Sequence, residues 1–162
     1  MDVAGAQQAA MVAVGLTDEV VTAGFISRRD VIAGFTTAAF GPRLADQTAE
    51  QVNALLVELG ARDADVAGLV AVEQPLGSTA TVTAEGVRVE VWSVLVIAVP
   101  GTGPGRQAWR TVTVDMVDVD GRWLVDSWTS TPGPTPALPT EVSLDAAEVI
   151  ADRIDSYVLV GG

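Results

Sequence analysis

The sequence WRTVTVDMVDVDGRWLVDSW, residues 109–128, decides the fold of this chain. Apolar and polar residues alternate on both sides of Asp120-Gly121, and such a dipeptide between two alternating runs is a strong signal for a two-residue type I′ turn. We therefore expect an antiparallel hairpin whose first strand covers about residues 107–119.

The hairpin turn also predicts a register for the two strands. If Val119 lies opposite Arg122, then Asp115 faces Asp126. Like charges directly opposite each other destabilise a sheet, so this pair needs a nearby arginine, solvent, a shared proton, or a bulge that breaks the register. A change in the apolar phase of the first strand indicates such a bulge.

Strand and helix signals precede the hairpin. Strands are expected at residues 67–74, 78–83 and 87–99, with Pro75 at an edge or kink, and the last strand is expected to end buried on both faces. Helices are expected at about residues 3–16, 27–39 and 48–59. Their start signals are Asp2, Ser27 with Asp30, and Thr48 with Gln51, and their stop signals are Gly41-Pro42 and Gly60.

This order of elements predicts an α+β fold, in which N-terminal helices pack on a curved antiparallel sheet. The length of 162 residues fits one domain, which we place at residues 1–138. Residues 139–162 form a predicted helical extension that Ser143 caps, and it packs either on its own domain or on a partner. Its apolar stripe consists of Leu144, Ala147, Ile150, Ala151 and Ile154.

The composition limits the possible functions. The formal net charge is -12, all basic residues are arginine, and the chain has no lysine, histidine or cysteine. An acidic chain repels nucleic acid, so no direct DNA or RNA binding is expected. Without histidine or cysteine, we expect no metal, no haem or iron–sulfur cofactor, and no nucleophile paired with histidine.

Hydropathy gives expectations about location. No apolar run approaches the roughly 18 residues of a membrane span, so no span is expected in this chain. The first residues lack the basic stretch of a secretory signal. The protein is therefore expected to be cytoplasmic, or to follow an anchor that has been removed.

The predicted aspartate pair has two interpretations. In the first, Asp115 and Asp126 share a proton in a concave pocket and act as acid or base with Arg110. In the second, which we favour, they are a solvated pair on the outer sheet face, bridged by Arg110 or Arg88.

The four tryptophans also have two interpretations. The simpler one is packing between the sheet and the helices, because each tryptophan buries a large area. The alternative is an aromatic lining of a ligand pocket, for which Trp92 and Trp128 are the candidates.

Five short motifs carry a family resemblance over residues 69–138. They are PLG at 75–77, VEVW at 89–92, AWRTVTV at 108–114, DGRWLVDSW at 120–128 and PGPTP at 132–136. The element order resembles the cystatin-like α+β roll of the nuclear transport factor two-like superfamily. The motifs are similar to those of actinobacterial proteins related to the TcpC-type conjugative transfer family. This resemblance implies a structural part of a transfer or secretion machine, on the outer side of the cytoplasmic membrane.

Two functional hypotheses follow. The leading one is a non-enzymatic assembly domain of a mobile-element or envelope machine, with protein partners and a tendency to form homo-oligomers. The alternative is a small-molecule-binding protein or a carboxylate-dependent enzyme, similar to epoxide hydrolases and polyketide cyclases of the same roll. Its site would contain Asp115, Asp126 and Arg110, with Trp92 and Trp128 lining the pocket.

Overall fold

The computed structural model describes residues 2–58, 60, 68–99 and 105–136. Over these residues, helices precede a sheet whose strands are hydrogen-bonded in chain order, each antiparallel to the next. The predicted α+β class, with N-terminal helices on a curved antiparallel sheet, is confirmed. The predicted helix at 139–162 lies outside the described residues. The elements are α1 (Val3–Gly15), α2 (Thr17–Thr22), α3 (Phe25–Phe35), α4 (Gly41–Glu58), β1 (Val70–Val82), β2 (Val87–Ala98), β3 (Arg106–Val119) and β4 (Arg122–Pro132).

The turn between β3 and β4 is the predicted one. Asp120 and Gly121 have φ angles of 54° and 80°, and a type I′ turn requires positive φ at both central residues. The Gly121 N–H donates to Asp118 Oδ1 over 2.7 Å, which holds the turn against the end of β3.

The register of this hairpin follows the prediction only near the turn. Val119 lies opposite Arg122 and Met116 opposite Val125, but a bulge then places Ser127, not Asp126, opposite Asp115. The predicted Asp115–Asp126 pairing is therefore wrong.

The bulge has a physical reason in β4. Val125 and Trp128 are three positions apart, yet they pair with Met116 and Val114, which are two apart on one face of β3. One extra residue in β4 lets both apolar side chains face the helices, and it also separates the two aspartates along the strand.

The first helix begins as predicted. Asp2 is its N-cap, and its Oδ1 accepts a hydrogen bond from the Gly5 N–H over 2.9 Å. The small residues of α1 then bring its backbone close to the sheet. Ala6, Ala10 and Ala13 are at most 2% exposed and belong to one core cluster with Val89 and Val91 of β2.

The remaining helix boundaries correct the sequence analysis. Helix α2 was not predicted, and α3 begins at Phe25 after Gly24 rather than at Ser27. Helix α4 begins at Gly41, and Pro42 occupies its first turn, where a missing N–H costs nothing. The expected stop signal is thus a start signal, and Thr48 lies inside α4, where its hydroxyl donates to the Leu44 carbonyl.

Strand β1 replaces the two short strands that were predicted around Pro75. It is one edge strand whose register is irregular between Pro75 and Gly77, as the edge-or-kink expectation for Pro75 requires. After α4, Gly60 has the positive φ of 70° that was expected of a helix C-cap.

Candidate functional site

A cavity of about 610 Å³ lies between the helices and the inner face of the sheet. Its walls come from α1, α2, α3 and α4 on one side and from β2, β3 and β4 on the other. Most of the lining is apolar, as in Val20, Val52 and Leu95, while Arg110 and Trp128 contribute from the sheet. A concave apolar space with a few polar groups is the usual form of a ligand pocket.

Arg110 links this cavity to a buried carboxylate. Its Nη2 lies 3.0 Å from Oε2 of Glu73, whose side chain is fully buried, while the Arg110 side chain is 18% exposed. The contact is an ion pair rather than an aligned hydrogen bond. Both Glu73 carboxylate oxygens and two Arg110 nitrogens have no hydrogen-bond partner among the described protein atoms, and the same holds for Ser93 Oγ. Ser93 lies directly opposite Arg110 on β2.

Asp115 lies away from the cavity, on the outer face of the sheet. Arg88 Nε and Nη2 donate to its two carboxylate oxygens over 2.8 and 3.1 Å, and the Ser127 hydroxyl donates over 2.6 Å. The hydrogen bonds from Arg88 lower the pKa of Asp115, partial burial opposes them, and the bond from Ser127 adds to the lowering. The sequence analysis named Arg110 and Arg88 as possible partners of the aspartates, and in the structure Arg88 binds the Asp115 carboxylate.

Asp126 contacts a different part of the structure from Asp115. Its Oδ1 accepts a hydrogen bond from the Thr37 hydroxyl over 2.7 Å, so it ties β4 to the segment between α3 and α4. The three residues of the enzymatic alternative are thus held in separate contacts, since Arg110 pairs with Glu73. Within the described ranges, no cluster of three or more acidic residues is placed to hold a metal ion.

The tryptophans divide between the two faces. Trp92 and Trp109 stack on the outer face with ring centroids 5.3 Å apart. Trp128 lies on the inner face, 6.4 Å from the Phe35 ring, and lines the cavity. Trp123 packs against the core beside α1, where Gly5 leaves room for its indole. Trp128 is therefore the tryptophan at the cavity, and Trp92 is not part of its lining.

A second feature is an apolar area on the outer face of the sheet, which we call the outer patch. Val72 and Val96 lie directly opposite each other there and remain 51% and 43% exposed. The end of β2 was expected to be buried on both faces, and the exposed Val96 shows that this was wrong. The helices among the described residues cover only the inner face. The patch consists of Val70, Val72, Trp92, Val94, Val96, Ala98 and Trp109.

The sequence-based prediction did not include Glu73 among the candidate site residues. Glu73 follows Ala71 by two positions, so both side chains lie on the inward face of β1. Because Ala71 is buried, the period of two already placed the Glu73 carboxylate among apolar neighbours. The signal was present in the phase of β1. Its partner Arg110 was named, but for a different site.

Comparison with known proteins gives one structural likeness. No family model matches the chain, and no curated protein matches it. The chain is similar to the crystal structure of the intermembrane space region of the chloroplast protein ARC6, with a TM-score of 0.51 and 15% identity. The match covers 82% of this chain and 98% of that one. At this identity the likeness concerns the fold alone.

No helix in the described part of the chain has the length and apolar character of a membrane span.

The Asp115 contacts predict a pH dependence. Because the folded pKa of Asp115 is lowered, its contribution to stability is present above the ordinary value of 3.8 and disappears as the pH falls through the folded value. We expect Asp115→Asn to lower the urea midpoint at neutral pH, and the difference from the unsubstituted protein to shrink below pH 3.8. Arg88→Gln is the matched variant, because it removes the donor and leaves the carboxyl. A difference that stays constant across this pH range would contradict the prediction.

Proposed function

We propose that this chain is a non-enzymatic assembly domain that acts through protein contacts in a conjugation- or secretion-type machine of the cell envelope. The observation that carries the proposal is the outer patch, since contiguous exposed apolar surface on a soluble domain usually marks an interaction site. The resemblance of the five sequence motifs to those of the TcpC-type transfer family is in line with the same role.

The dimensions of the outer patch favour a helix as the bound element. It crosses β1, β2 and β3, which gives a width of about 10 Å at the usual strand spacing. Along β2 it runs from Trp92 to Ala98, about 20 Å at the usual rise per residue. An α-helix has a diameter of about 10–12 Å, and amphipathic helices bind apolar surfaces of this shape.

We infer that in the oligomer, which forms at high protein concentration, the bound helix belongs to a second copy of this chain. The sequence predicts an amphipathic helix from Ser143 that could serve, and none of the outer-patch residues is charged. An uncharged surface matters in a chain of net charge -12, because two copies meet there with the least electrostatic repulsion. Exchange of the helix between copies would produce the expected homo-oligomer.

The contacts of the candidate catalytic residues also favour a non-enzymatic role. Asp115 is held by Arg88 and Ser127, and Asp126 by Thr37. Groups engaged in this way stabilise the fold, whereas a general acid or base must lie within hydrogen-bond reach of a substrate.

The location belongs to the same proposal. If a membrane anchor precedes this domain in the natural protein, the domain works on the outer side of the cytoplasmic membrane; otherwise it works in the cytoplasm.

A second candidate function is the binding of a small molecule in the cavity. The observation in its favour is the cavity of about 610 Å³, into which Arg110 brings hydrogen-bond donors that the described protein atoms leave unused. This function uses the inner face of the sheet, whereas assembly uses the outer face. Substitutions in the outer patch therefore separate the two candidates.

Light scattering on the full chain tests the assembly proposal. We expect the average mass to rise above the 16.7 kDa of one chain as the protein concentration increases. Val96→Glu should abolish this rise, because it places a charge in the centre of the apolar contact.

Thr81→Glu is the control, since Thr81 is exposed beyond the outer patch, opposite Arg88, and the substitution adds the same charge. It should associate like the unsubstituted chain. A strict monomer at every concentration, or equal association of both variants, would contradict the proposal.

A further inference from the structure

The last described residues carry the chain onto the outer face of the sheet. The Gly133 N–H donates to the Trp109 carbonyl over 2.9 Å, directly after β4 ends at Pro132. The Trp92 indole N–H then donates to the Pro134 carbonyl over 3.0 Å, although Trp92 lies on β2, two strands away from β4. The chain therefore leaves β4 toward the outer patch.

Gly133 makes this path possible. An ideal Cβ at this position would lie 2.6 Å from the Arg110 carbonyl carbon, so the backbone approaches β3 more closely than a residue with a side chain allows. The direction of the chain at the end of β4 is thus fixed by backbone contacts with β3 and by the hydrogen bond to Trp92.

The helix predicted in the sequence that follows is short enough to fit along the outer patch. The predicted helix from Leu144 to Ile154 would extend about 15 Å at the α-helical rise, against about 20 Å for the patch along β2. The connection from Pro136 to Ser143 reaches up to about 23 Å when extended, so it does not limit where the helix lies on the face.

The charges are also compatible with docking on this face. The polar side of the predicted helix carries Asp145, Glu148, Asp152 and Asp155, and it would remain in solvent when the apolar stripe faces the sheet. An acidic surface would repel such a segment. The outer patch has no charged residue, so the acidic helix meets no like charge there.

From these observations we propose that residues 139–162 dock on the outer patch of their own chain and thereby keep it closed to a second copy. The regulatory role rests on the proposed function, because it concerns the same face. The docking itself stands independently of whether copies associate. In the closed chain the tether gives the segment an effective concentration in the millimolar range, so exchange between copies needs a high protein concentration.

Disulfide trapping in the full chain tests this docking. The chain has no cysteine, so Val96→Cys combined with Ile150→Cys introduces one defined pair. In dilute solution under mild oxidation, we expect this pair to form an intramolecular disulfide at least about tenfold faster than Thr81→Cys with Ile150→Cys. The tether brings residue 150 near both positions, and docking adds to this only at the patch. Val72→Cys with Ile150→Cys is a second pair on the same patch.

Each outcome of the trapping experiment either supports or overturns docking of residues 139–162 on their own chain. A fast intramolecular bond supports docking in the same chain, even if light scattering finds only monomers and the assembly proposal fails. Disulfide-linked dimers in dilute solution would assign the patch to a second copy and overturn docking in cis. Equal rates for the patch pairs and the control pair would overturn docking of any kind.

Trypsin gives an independent measurement without cysteine substitutions. Arg153 is the basic residue between 137 and 162, so cleavage there reports the accessibility of the segment. Docking predicts that Val96→Glu accelerates this cleavage several-fold, whereas Thr81→Glu leaves the rate unchanged. Equal rates in the two variants would count against the proposal.

Discussion

Arg110→Met is expected to lower the free energy of unfolding by about 3–5 kcal/mol, the usual cost of leaving one partner of a buried ion pair without its countercharge. The side chain of Glu73 is fully buried and depends on the Arg110 guanidinium 3.0 Å away. Glu73→Leu alone should be costly for the same reason, since Arg110 would keep its charge beside an apolar wall.

The double variant Glu73→Leu with Arg110→Met separates the interaction energy of the ion pair from the cost of changing each residue alone. Replacing a buried ion pair with apolar side chains of similar volume is often neutral, so we expect the double variant to recover most of the loss. Denaturant unfolding of the four proteins gives the coupling energy directly. Strictly additive costs would show that the two side chains do not act as a pair.

The same measurement reports on the cavity. A cost well under about 1 kcal/mol for Arg110→Met would resemble that of an exposed ion pair and would mean that water reaches Glu73. A large cost would instead place the pair in a dry part of the roll, with Arg110 committed to the fold before any ligand is considered.

Gly86→Ala is expected to cost about 3 kcal/mol, because the added methyl group would overlap backbone atoms. An ideal Cβ on Gly86 would overlap the Met116 carbonyl oxygen. Gly86 belongs to the connection between β1 and β2, where its N–H and carbonyl both bond to Thr83. The clash therefore pushes this turn away from β3, and thermal unfolding measures the result.

Gly34→Ala is the control for this substitution. Gly34 lies in α3, and an added Cβ would meet no atom within 4 Å. Alanine is the better helix former, so we expect a gain of about 0.5 kcal/mol rather than a loss. If both glycine variants lost stability equally, the cause would not be the close contact between Gly86 and Met116.

The prediction from sequence succeeded where neighbours along the chain decide the conformation. Asp120-Gly121 adopts positive φ at both residues because the turn demands it, and Asp2 caps α1 because its carboxylate reaches the Gly5 N–H. The strands β2 and β3 and the apolar stripe of α4 followed from periodicity.

The prediction failed where a local sequence pattern was interpreted without the rest of the chain that decides its conformation. Thr48 and Gln51 resemble a capping box, but α4 starts earlier because Gly41 and Pro42 suit a helix start equally well. The candidate site failed in a similar way. Arg110 and Trp128 do line the cavity, while the phase of β3 places Asp115 on the outer face and the bulge in β4 moves Asp126 away from it.

The sequence by itself determined the hairpin, the period of the strands and the α+β class, because these depend on φ preferences and on alternation within a few residues. Only the tertiary structure decided which face of each strand is covered. Val125 and Trp128 both had to reach the helices, so β4 bulged, and the Asp115–Asp126 pairing was lost. Packing of the helices on the inner face buried Glu73 beside Arg110 and left Val72 and Val96 exposed, because burial depends on contacts between residues far apart in the chain.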